Sequence, residues 1–506
     1  MQHLTPGQQS AGLRNVRLSG QTGTVELAFR EGRLATESID QDRILDGGGA
    51  WVHPGFVDAH LHMGLGGDGM TQLDLSGVRS RAEFEQAITR ESEALPPGHW
   101  LRARGWNEED FPKDGMPTRA WLQGAGGRPV VAYRVDYHAC VVNDAVLDHV
   151  TLEDCPQGGR VERDAGGRPT GLMVEGAAWH LVNPVVPESS ISERQTAMRT
   201  ADRYFAKNGL VAVGSMEYAR ELTEALEPIR RELGVRVLVT LLERDWPLDC
   251  SLAESFTNDA MLSVIGFKAF LDGTLGSRSA AMLSPYPDDP EGGDGMLIEL
   301  AEEGVLEEWI RFVESKGFSP SMHAIGDRAL RLALDVADTL PEAARSRVRF
   351  EHAQTVHPDD LPRMEGRFAS MQPLHRTLDA PVAEARLGTE RLGHFYPLKS
   401  LEEVGARLAF GSDWPIVDCD PFKGIRAAVT GCGVGPSEVV GIDTALAGYT
   451  TEARACLGLE GGTISPGAPA DLVLLDRDPR EVDWSSDEAP TVLTTIVGGR
   501  VVHDLR

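Results

Sequence analysis

Histidine, lysine and aspartate residues stand at five places in the chain where an apolar run ends. The six candidate metal ligands are His60, His62, Lys268, His323, His352 and Asp413. His60 and His62 are two positions apart, and a β-strand points residues i and i+2 to the same side, so both could reach one ion. Imidazole and carboxylate ligands suit zinc, manganese or iron. Such an ion polarises a carbonyl group and lowers the pKa of water from about 15.7 to about 7. The pattern therefore predicts metal-assisted hydrolysis, and six candidates indicate two ions rather than one.

Taken singly, these residues have ordinary explanations. A histidine such as His323 can be a hydrogen-bonded core residue, and Asp413 can cap a helix ahead of the Trp414-Pro415 turn. Lys268 is harder to explain because it lies between two apolar runs, and lysine is almost never fully buried unless it is paired. It needs either an acidic partner or a chemical modification. The functional interpretation therefore depends on the joint pattern.

Eight apolar runs of β type, separated by helix-like stretches, would position these residues. The runs are Val52–Ala59, Leu210–Met216, Val235–Leu242, Val264–Phe270, Ser319–Ala324, Arg347–His352, Phe368–Gln372 and Arg407–Gly411. This alternation predicts the α/β class and a (β/α)8 barrel of the TIM type. The catalytic residues of such a barrel lie at the C-terminal ends of its strands, where the candidate ligands fall.

The two ends of the chain differ from this middle. Residues 1–51 and 462–506 contain short strand-like runs broken by glycine, so we predict one small β-sandwich domain made from both termini. Residues 52–461 would form the hydrolase barrel. The first two barrel runs are about 150 residues apart, which is far longer than a βα loop. An inserted subdomain of about residues 65–195 is therefore expected after the first strand.

The charge and the residue composition of the chain limit which molecules it is expected to bind. The formal net charge is −28, and the resulting negative electrostatic potential repels nucleic acid and anionic membranes. No apolar run is long enough to span a membrane. The six cysteines are dispersed and no signal peptide is evident, as expected of a cytoplasmic protein with reduced thiols. A small-molecule substrate is the expected partner, and a homo-oligomer stays open because the sequence does not determine the oligomeric state.

Several segments resemble the amidohydrolase superfamily, in particular its YtcJ-like branch, which includes N-substituted formamide deformylases. The resemblance covers nearly the whole chain and rests on residues 54–62, 266–278, 323–328, 351–354, 411–415 and 467–476. In the inserted segment, residues 105–107, 136–138 and 169–175 are similar to signatures of that branch. Ala468 is a departure, since lysine is usual there, but it lies far from the candidate ligands.

The resemblance implies a role for each ligand. His60 and His62 would bind one ion with Asp413, and His323 and His352 would bind a second. Lys268 would be carboxylated, and its carbamate would bridge the two ions. Zinc is the expected metal, with manganese or iron as alternatives. The implied reaction is attack of a metal-bound hydroxide on an amide-like or N-formyl-like C–N bond, with Asp413 as the proton shuttle.

Two alternatives remain. A hydrolytic deaminase or a cyclic amide hydrolase would use the same site, but deaminase relatives place a glutamate shortly after the histidine of the fifth strand. In this chain His323 is followed by Ala324-Ile325-Gly326, which includes no glutamate. A non-catalytic relative with an assembly or regulatory role would be marked by the loss of ligands, whereas all six are present.

Other residues are candidates for contact with the substrate or for support of the ligands. The substrate candidates are Trp106, His138, Asp272, Arg278, His375, Asp379 and Trp414. Asp58 and Asp327 are expected to orient ligand histidines. Some of them have a plainer alternative: packing for the aromatic residues and His138, a surface ion pair for Asp272 with Arg278, and a helix-dipole contact for Asp327.

Overall fold

A computed structural model describes residues 10–36, 44–111, 113–135, 137, 139–156, 159–243, 246–257, 259–289, 291, 293–433 and 437–506. The chain forms two compact units. One consists of Leu65–Ala197, and the other consists of the described residues before and after it. The candidate His138 lies outside the described residues.

The strands and helices follow in chain order. The strands are β1 (Gly12–Leu18), β2 (Val25–Arg30), β3 (Arg33–Ala35), β4 (Ile44–Asp46), β5 (Trp51–Pro54), β6 (Phe56–Leu61), β7 (Leu73–Asp74), β8 (Leu101–Trp106), β9 (Val130–Arg134), β10 (Ala139–Val142), β11 (Gly159–Arg163), β12 (Pro169–Glu175), β13 (Leu210–Glu217), β14 (Arg236–Leu241), β15 (Leu262–Phe270), β16 (Ser319–Ala324), β17 (Arg349–His352), β18 (Phe368–Met371), β19 (Arg407–Phe410), β20 (Leu472–Leu475), β21 (Val492–Val497) and β22 (Arg500–Asp504). The helices are α1 (Met63–Gly69), α2 (Arg81–Ala94), α3 (Asp144–Leu147), α4 (Ile191–Lys207), α5 (Glu227–Ile229), α6 (Ser251–Glu254), α7 (Glu299–Glu302), α8 (Leu306–Ser315), α9 (Asp327–Asp338), α10 (Glu342–Arg345), α11 (His375–Arg391), α12 (Leu398–Glu403), α13 (Pro421–Thr430), α14 (Ile442–Gly448) and α15 (Thr451–Cys456).

The larger unit contains the predicted barrel. Eight parallel strands are hydrogen-bonded in the order β19-β18-β17-β16-β15-β14-β13-β6. Every residue of β6 and β13 is buried, as expected for parallel strands that are covered on both faces. The first and last strands approach just beyond their ends, where Asp413 N donates to His60 O at 2.6 Å and His62 N donates to Trp414 O at 2.8 Å. The sheet is therefore a nearly closed barrel.

The first predicted barrel strand was placed wrongly. The apolar run Val52–Ala59 is divided at Gly55 into β5, which pairs with β20 and β1, and β6, which begins the barrel. A Cβ atom at Gly55 would lie 2.2 Å from the side chain of Val211 on β13, so the chain passes from one sheet to the other where only glycine fits. Hydrophobicity alone does not reveal this division because both strands are apolar.

Strands from both ends of the chain form a second sheet, in the order β22-β21-β20-β5-β1-β2-β3, with β4 paired to β1. Buried residues from the two ends share one cluster, among them Leu13, Val52, Leu474 and Ile496. The turn between β21 and β22 uses Gly498 and Gly499, both with positive φ. The joining of the two termini is thus observed, and their arrangement as a two-layer sandwich stays a prediction.

The unit Leu65–Ala197 has its own mixed sheet, in the order β11-β12-β10-β9-β8-β7. Helix α2 covers a core that includes Phe84, Trp106, Trp121 and Val130. Throughout the part of the chain that the structure describes, no helix has the length and apolar character needed to cross a membrane.

Candidate metal centre

The six predicted ligands come together at the C-terminal ends of the barrel strands. Asp413 Oδ1 lies 3.0 Å from His62 Nε2 and 3.4 Å from His60 Nε2. His60 Nε2 is 3.1 Å from Lys268 Nζ. The ring centroids of His60 and His352 are 5.0 Å apart, and those of His352 and His323 are 4.4 Å apart. Ligand-type atoms of His60, His352 and Asp413 all lie within 4.8 Å of one another.

The backbone is strained at two of these residues. His352, at the end of β17, has φ 70°, and Asp413, just after β19, has φ 57°. Left-handed conformations are costly for residues other than glycine, and they persist at functional sites where the surroundings impose them. At Asp413 the backbone conformation is held by a hydrogen bond, in which the N–H of Asp413 donates to the carbonyl of His60.

His60 is oriented by a buried carboxylate. Glu351 Oε2 lies 2.6 Å from His60 Nδ1, and Glu351 Oε1 lies 2.9 Å from Arg349 Nε, with all three side chains completely buried. Burial raises the pKa of Glu351, but Arg349 and His60 outweigh it and hold that pKa far below its usual range. Burial and the nearby Lys268 lower the pKa of His60 to about 4. His60 is therefore neutral, with its proton on Nδ1 and the lone pair of Nε2 facing the other ligands.

His352 and His323 are oriented by neutral groups. His352 Nδ1 lies 2.8 Å from Gln372 Oε1, so it donates its proton there and leaves Nε2 as an acceptor. His323 Nε2 lies 3.3 Å from the carbonyl of Gly273. Burial lowers the pKa of His323 to about 3, and it also lowers the pKa of His352 well below the usual value. Both rings are thus neutral and available as metal ligands.

Asp58 holds the ends of β6 and β19 together. Its Oδ1 accepts hydrogen bonds from His60 N at 3.0 Å and Ser412 N at 3.1 Å, and its Oδ2 accepts one from Ser412 Oγ at 2.6 Å. Burial raises the pKa of Asp58 to about 7. The side chain positions the backbone next to the candidate ligands His60 and Asp413, rather than a histidine ring.

This arrangement of donor atoms fits a divalent cation. Asp413 Oδ1 is buried without a hydrogen-bond donor, although two imidazole nitrogens lie within 3.4 Å. Burial raises the pKa of Asp413, but the histidines, His60 foremost, outweigh it and keep that pKa well below the usual value. An ionised carboxylate beside neutral imidazoles is a donor set typical of zinc and related ions.

Lys268 completes the cluster from β15. It is 2% exposed, and its Nζ lies 4.8 Å from the centre of the Phe270 ring as well as beside His60. The predicted burial of this lysine is confirmed. Its sequence context did not determine that its Nζ would lie beside a ligand-type histidine, as it does at His60.

Asp272 and Asp327 are buried carboxylates that bind backbone N–H groups. Asp272 accepts from Ala281, Ile325 and Gly326 at 2.8–3.1 Å, and its Oδ1 is 3.6 Å from His323 Nε2. Burial raises the pKa of Asp272 to about 7. Asp327 Oδ1 accepts from Leu283 N at 2.7 Å. The expectation that Asp327 orients a histidine is therefore corrected: the loop after β15 takes its carboxylate.

Two other substrate candidates pair with protein groups. Arg278 makes two contacts with Asp288, at 3.0 and 3.2 Å, so the alternative that it pairs with Asp272 does not hold. Asp379 Oδ2 accepts from Gln354 Nε2 at 2.7 Å and from the hydroxyl of Tyr396 at 3.4 Å. Asp379 lies one turn after His375 on α11, which follows the seventh barrel strand.

His375 and Trp414 lie beside Asp413. His375 Nε2 is buried without a hydrogen-bond partner, 3.9 Å from Asp413 Oδ2. Trp414 is largely buried against Phe205, with ring centroids 5.3 Å apart, and its carbonyl accepts from His62 N. His375 keeps the position expected of a substrate contact, whereas Trp414 packs into the wall below the ligands.

Trp106 belongs to the core of the inserted unit. Its side chain is completely buried, and its indole N–H donates to the carbonyl of Ala132 at 2.8 Å. Because no part of the ring is open to a ligand, the expected substrate contact is replaced by the packing alternative. Its motif residue Asn107 caps the short helical turn that follows.

Three supporting residues were missed from the sequence: Glu351, Gln372 and Gln354. Glu351 and Gln354 flank His352, so a polar residue next to a candidate ligand was an available signal. Gln372 ends the seventh predicted strand, and the rule that placed the other ligands at strand ends would have selected it. Their partners, however, lie on other elements: His60 on β6, His352 on β17 and Asp379 on α11.

Comparison with known proteins agrees with this geometry. The family model described as "Amidohydrolase family" matches residues 43–503. The chain belongs to the amidohydrolase family.

Among curated proteins of this family, the chain is 32% identical to "Protein LONG AFTER FAR-RED 3" of Arabidopsis thaliana, over 90% of this chain and 82% of that one. It is 29% identical to the YtcJ protein of Bacillus subtilis (strain 168), over 96% and 94%. It is 25% identical to the "N-substituted formamide deformylase" of Arthrobacter pascens, over 94% and 93%. The predicted YtcJ-like branch is confirmed.

A solved structure shares the fold closely. The crystal structure of an uncharacterised metal-dependent hydrolase from Pyrococcus horikoshii superposes with a TM-score of 0.76 at 28% identity. The match covers 94% of this chain and 99% of that one. The chain therefore shares its fold with that metal-dependent hydrolase.

Proposed function

We propose that this amidohydrolase is a metal-dependent hydrolase that cleaves an amide-like or N-formyl-like C–N bond. One observation carries the proposal: ligand-type atoms of His60 on β6, His352 on β17 and the carboxylate of Asp413, all buried, lie within 4.8 Å of one another, and His62 Nε2 lies 3.0 Å from the same carboxylate. The deformylase relative, whose name states action on N-substituted formamides, supports the choice of bond.

His60, His62, His323, His352 and Asp413 would hold divalent metal, which we expect to be two zinc ions, with manganese or iron as substitutes. Bound there, the metal would polarise the carbonyl group of the substrate and make water more acidic. The chain supplies the rest of the chemistry. Asp413 is positioned to accept a proton from the attacking water at its carboxylate and to return it to the leaving nitrogen.

Lys268 would take part as a carbamate. Its amine would form a bond to the carbon of carbon dioxide and release a proton, which turns a cation into an anionic oxygen ligand. The support is its place: it is 2% exposed, and its Nζ lies 3.1 Å from His60 Nε2. A lysine cation beside divalent ions would repel them, whereas a carbamate would bind them.

The deaminase alternative has less support in this chain. The first acidic side chain after His323 is Asp327, and its carboxylate is taken by the backbone of Leu283. Residues 324–326, which the structure describes in full, contain no carboxylate for the role that a glutamate fills shortly after this histidine in deaminase relatives.

A substrate screen tests the proposal. The protein, reconstituted with zinc, is incubated with a panel of N-formyl and N-acyl amines, and the release of amine and carboxylic acid is measured. We expect hydrolysis of at least one N-formyl or N-acyl compound, more than one equivalent of metal per chain, and loss of hydrolysis on chelation. Full activity in rigorously metal-free protein would refute the proposal, and release of ammonia from ring amines alone would favour the deaminase.

A further inference from the structure

Glu351 is a completely buried carboxylate held between Arg349 and His60. Its two oxygens have separate partners: Oε1 lies 2.9 Å from Arg349 Nε, and Oε2 lies 2.6 Å from His60 Nδ1. Arg349 and Glu351 are two positions apart on β17, so both side chains lie on the same side of the strand. His60 belongs to β6, and the contact therefore spans from one barrel strand to another that is not its neighbour.

A buried ion pair has a high desolvation cost in the interior of a barrel. Removing both charges from water often costs more than their attraction returns, and apolar side chains of similar volume would serve packing as well or better. A pair kept in such a place is therefore expected to do something that packing cannot. Here the carboxylate is aimed at one nitrogen of a ligand-type histidine.

The position of the proton on His60 follows from that contact. A neutral imidazole has one N–H and one lone pair, and an ionised carboxylate accepts only. The proton must then be on Nδ1, which leaves the lone pair of Nε2 facing Lys268 Nζ at 3.1 Å and Asp413 Oδ1 at 3.4 Å. With the proton on Nε2 instead, His60 could not bind a metal through that atom.

We propose that Glu351, whose other oxygen faces Arg349, is a positioning residue that fixes the proton of His60 on Nδ1 and so presents Nε2 to the metal. The inference rests on the proposed function in one respect, since it assumes that His60 is a metal ligand. Outer partners of metal-bound histidines change metal affinity by about 10–100-fold when they are removed.

A purely structural role is the competing explanation. Arg349 Nη2 donates to the carbonyl of Ala59 at 2.7 Å, so the pair also ties β17 to β6. If that tie were its only purpose, removal of the carboxylate would lower the free energy of unfolding without changing zinc affinity in the protein that remains folded.

The experiment compares Glu351→Gln and Glu351→Ala with the wild type. Zinc affinity is measured by competition with a chelating dye, and stability by denaturant unfolding. We expect zinc affinity to fall about tenfold in Glu351→Gln, which keeps an oxygen acceptor for His60, and about 100-fold in Glu351→Ala. Equal zinc affinity in wild type and both variants, with stability alone reduced, would overturn the proposal.

Glu217→Gln is the matched control. Glu217 is also a buried carboxylate at the end of a barrel strand, but it accepts from Ser215 Oγ at 2.5 Å and Gly64 N at 2.9 Å and contacts no ligand ring. We expect its zinc affinity to equal that of the wild type. If Glu351→Gln fails to fold because Arg349 is left unpaired, Glu351→Gln combined with Arg349→Met removes both charges and is measured instead.

A second measurement separates this inference from the proposed function. In metal-free protein labelled with ¹⁵N-histidine, the nitrogen shifts of His60 report which nitrogen carries the proton, and a His60→Asn sample assigns the signal. We expect the Nδ1–H form in the wild type and a mixture of the two forms in Glu351→Ala. The Nε2–H form in the wild type would overturn the inference even if zinc binds, whereas a wild type that binds no metal but shows the Nδ1–H form would refute only the proposed function.

Discussion

Three of the candidate ligands lie where the first and last barrel strands meet, and carboxylate side chains hold them. These three are called the seam side: His60, His62 and Asp413. Glu351 with Arg349 orients His60, and Asp58 ties the two strands. His323 and His352, called the far side, are held by a backbone carbonyl and by the amide of Gln372. Under the proposed function, protons move on the seam side, at Asp413, while the far side only binds. The side chain that accepts a hydrogen bond from a ligand ring is thus a carboxylate on the seam side and a neutral amide on the far side, where the Asp272 carboxylate lies farther away, 3.6 Å from His323 Nε2.

Lys268→Ala should have the largest effect, because it would remove the group proposed to join the two sides. We expect loss of metal and of hydrolysis. A short-chain carboxylic acid added in solution should restore part of both, since it supplies an oxygen ligand. Metal content and rate are measured with and without the acid. A variant that retains metal on both sides at full activity would show that the two sides do not need this residue.

Asp413→Asn should lower kcat by roughly 10²–10⁴-fold, because the amide cannot take up a proton. Metal content is determined in the same sample, since Asp413 is also a candidate ligand. Asp327→Asn is the control: it is a buried carboxylate bound to Leu283 N, and the asparagine oxygen keeps that contact. A rate near the wild type in Asp413→Asn, with normal metal content, would show that Asp413 on the seam side does not transfer the proton.

Gln372→Leu tests the neutral anchor of the far side. The substitution removes the acceptor for His352 Nδ1 and leaves the barrel charges unchanged. We expect zinc affinity to fall about tenfold, the lower end of the range for such partners and less than in Glu351→Ala. A loss as large as that of Glu351→Ala would show that charge is not what distinguishes the two anchors.

Trp106→Phe should have the smallest effect on catalysis. It removes the hydrogen bond to Ala132 inside the inserted unit, so the free energy of unfolding should fall by about 1 kcal/mol. Steady-state kinetics across the substrate panel should not change. An altered KM without any change in stability would mean that this unit contributes to substrate binding through Trp106 after all.

Much of the centre could be predicted because a parallel barrel brings the C-terminal ends of its strands together. Once the apolar runs were recognised, the position of a polar residue at the end of a run indicated its place in the site. The same reasoning predicted the burial of Lys268, since both of its flanks are apolar. Seven of the eight predicted runs are single barrel strands. The first run, Val52–Ala59, is not, because β5 and β6 are both apolar and the break at Gly55 leaves the hydrophobic pattern unchanged.

Pairings between side chains could not be predicted in the same way. The contact of Glu351 with His60 joins residues 291 positions apart, and no local pattern encodes which of several nearby polar groups a carboxylate will meet. Arg278 pairs with Asp288, whereas Asp272 accepts from the N–H groups of Ala281, after β15, and of Ile325 and Gly326, after β16. Trp106 stands next to a loop in the sequence, yet the indole turns inward to Ala132.

The meeting of β6 and β19 also has a consequence for biosynthesis. Asp58 and Ser412, which fasten this seam, are 354 residues apart in the chain. A ribosome must therefore complete nearly the whole barrel before Asp413 can join His60 and His62. During translation, a nascent chain that ends before β19 would contain the histidines without Asp413. Under the proposed function, such a chain would bind zinc less tightly than the complete barrel does.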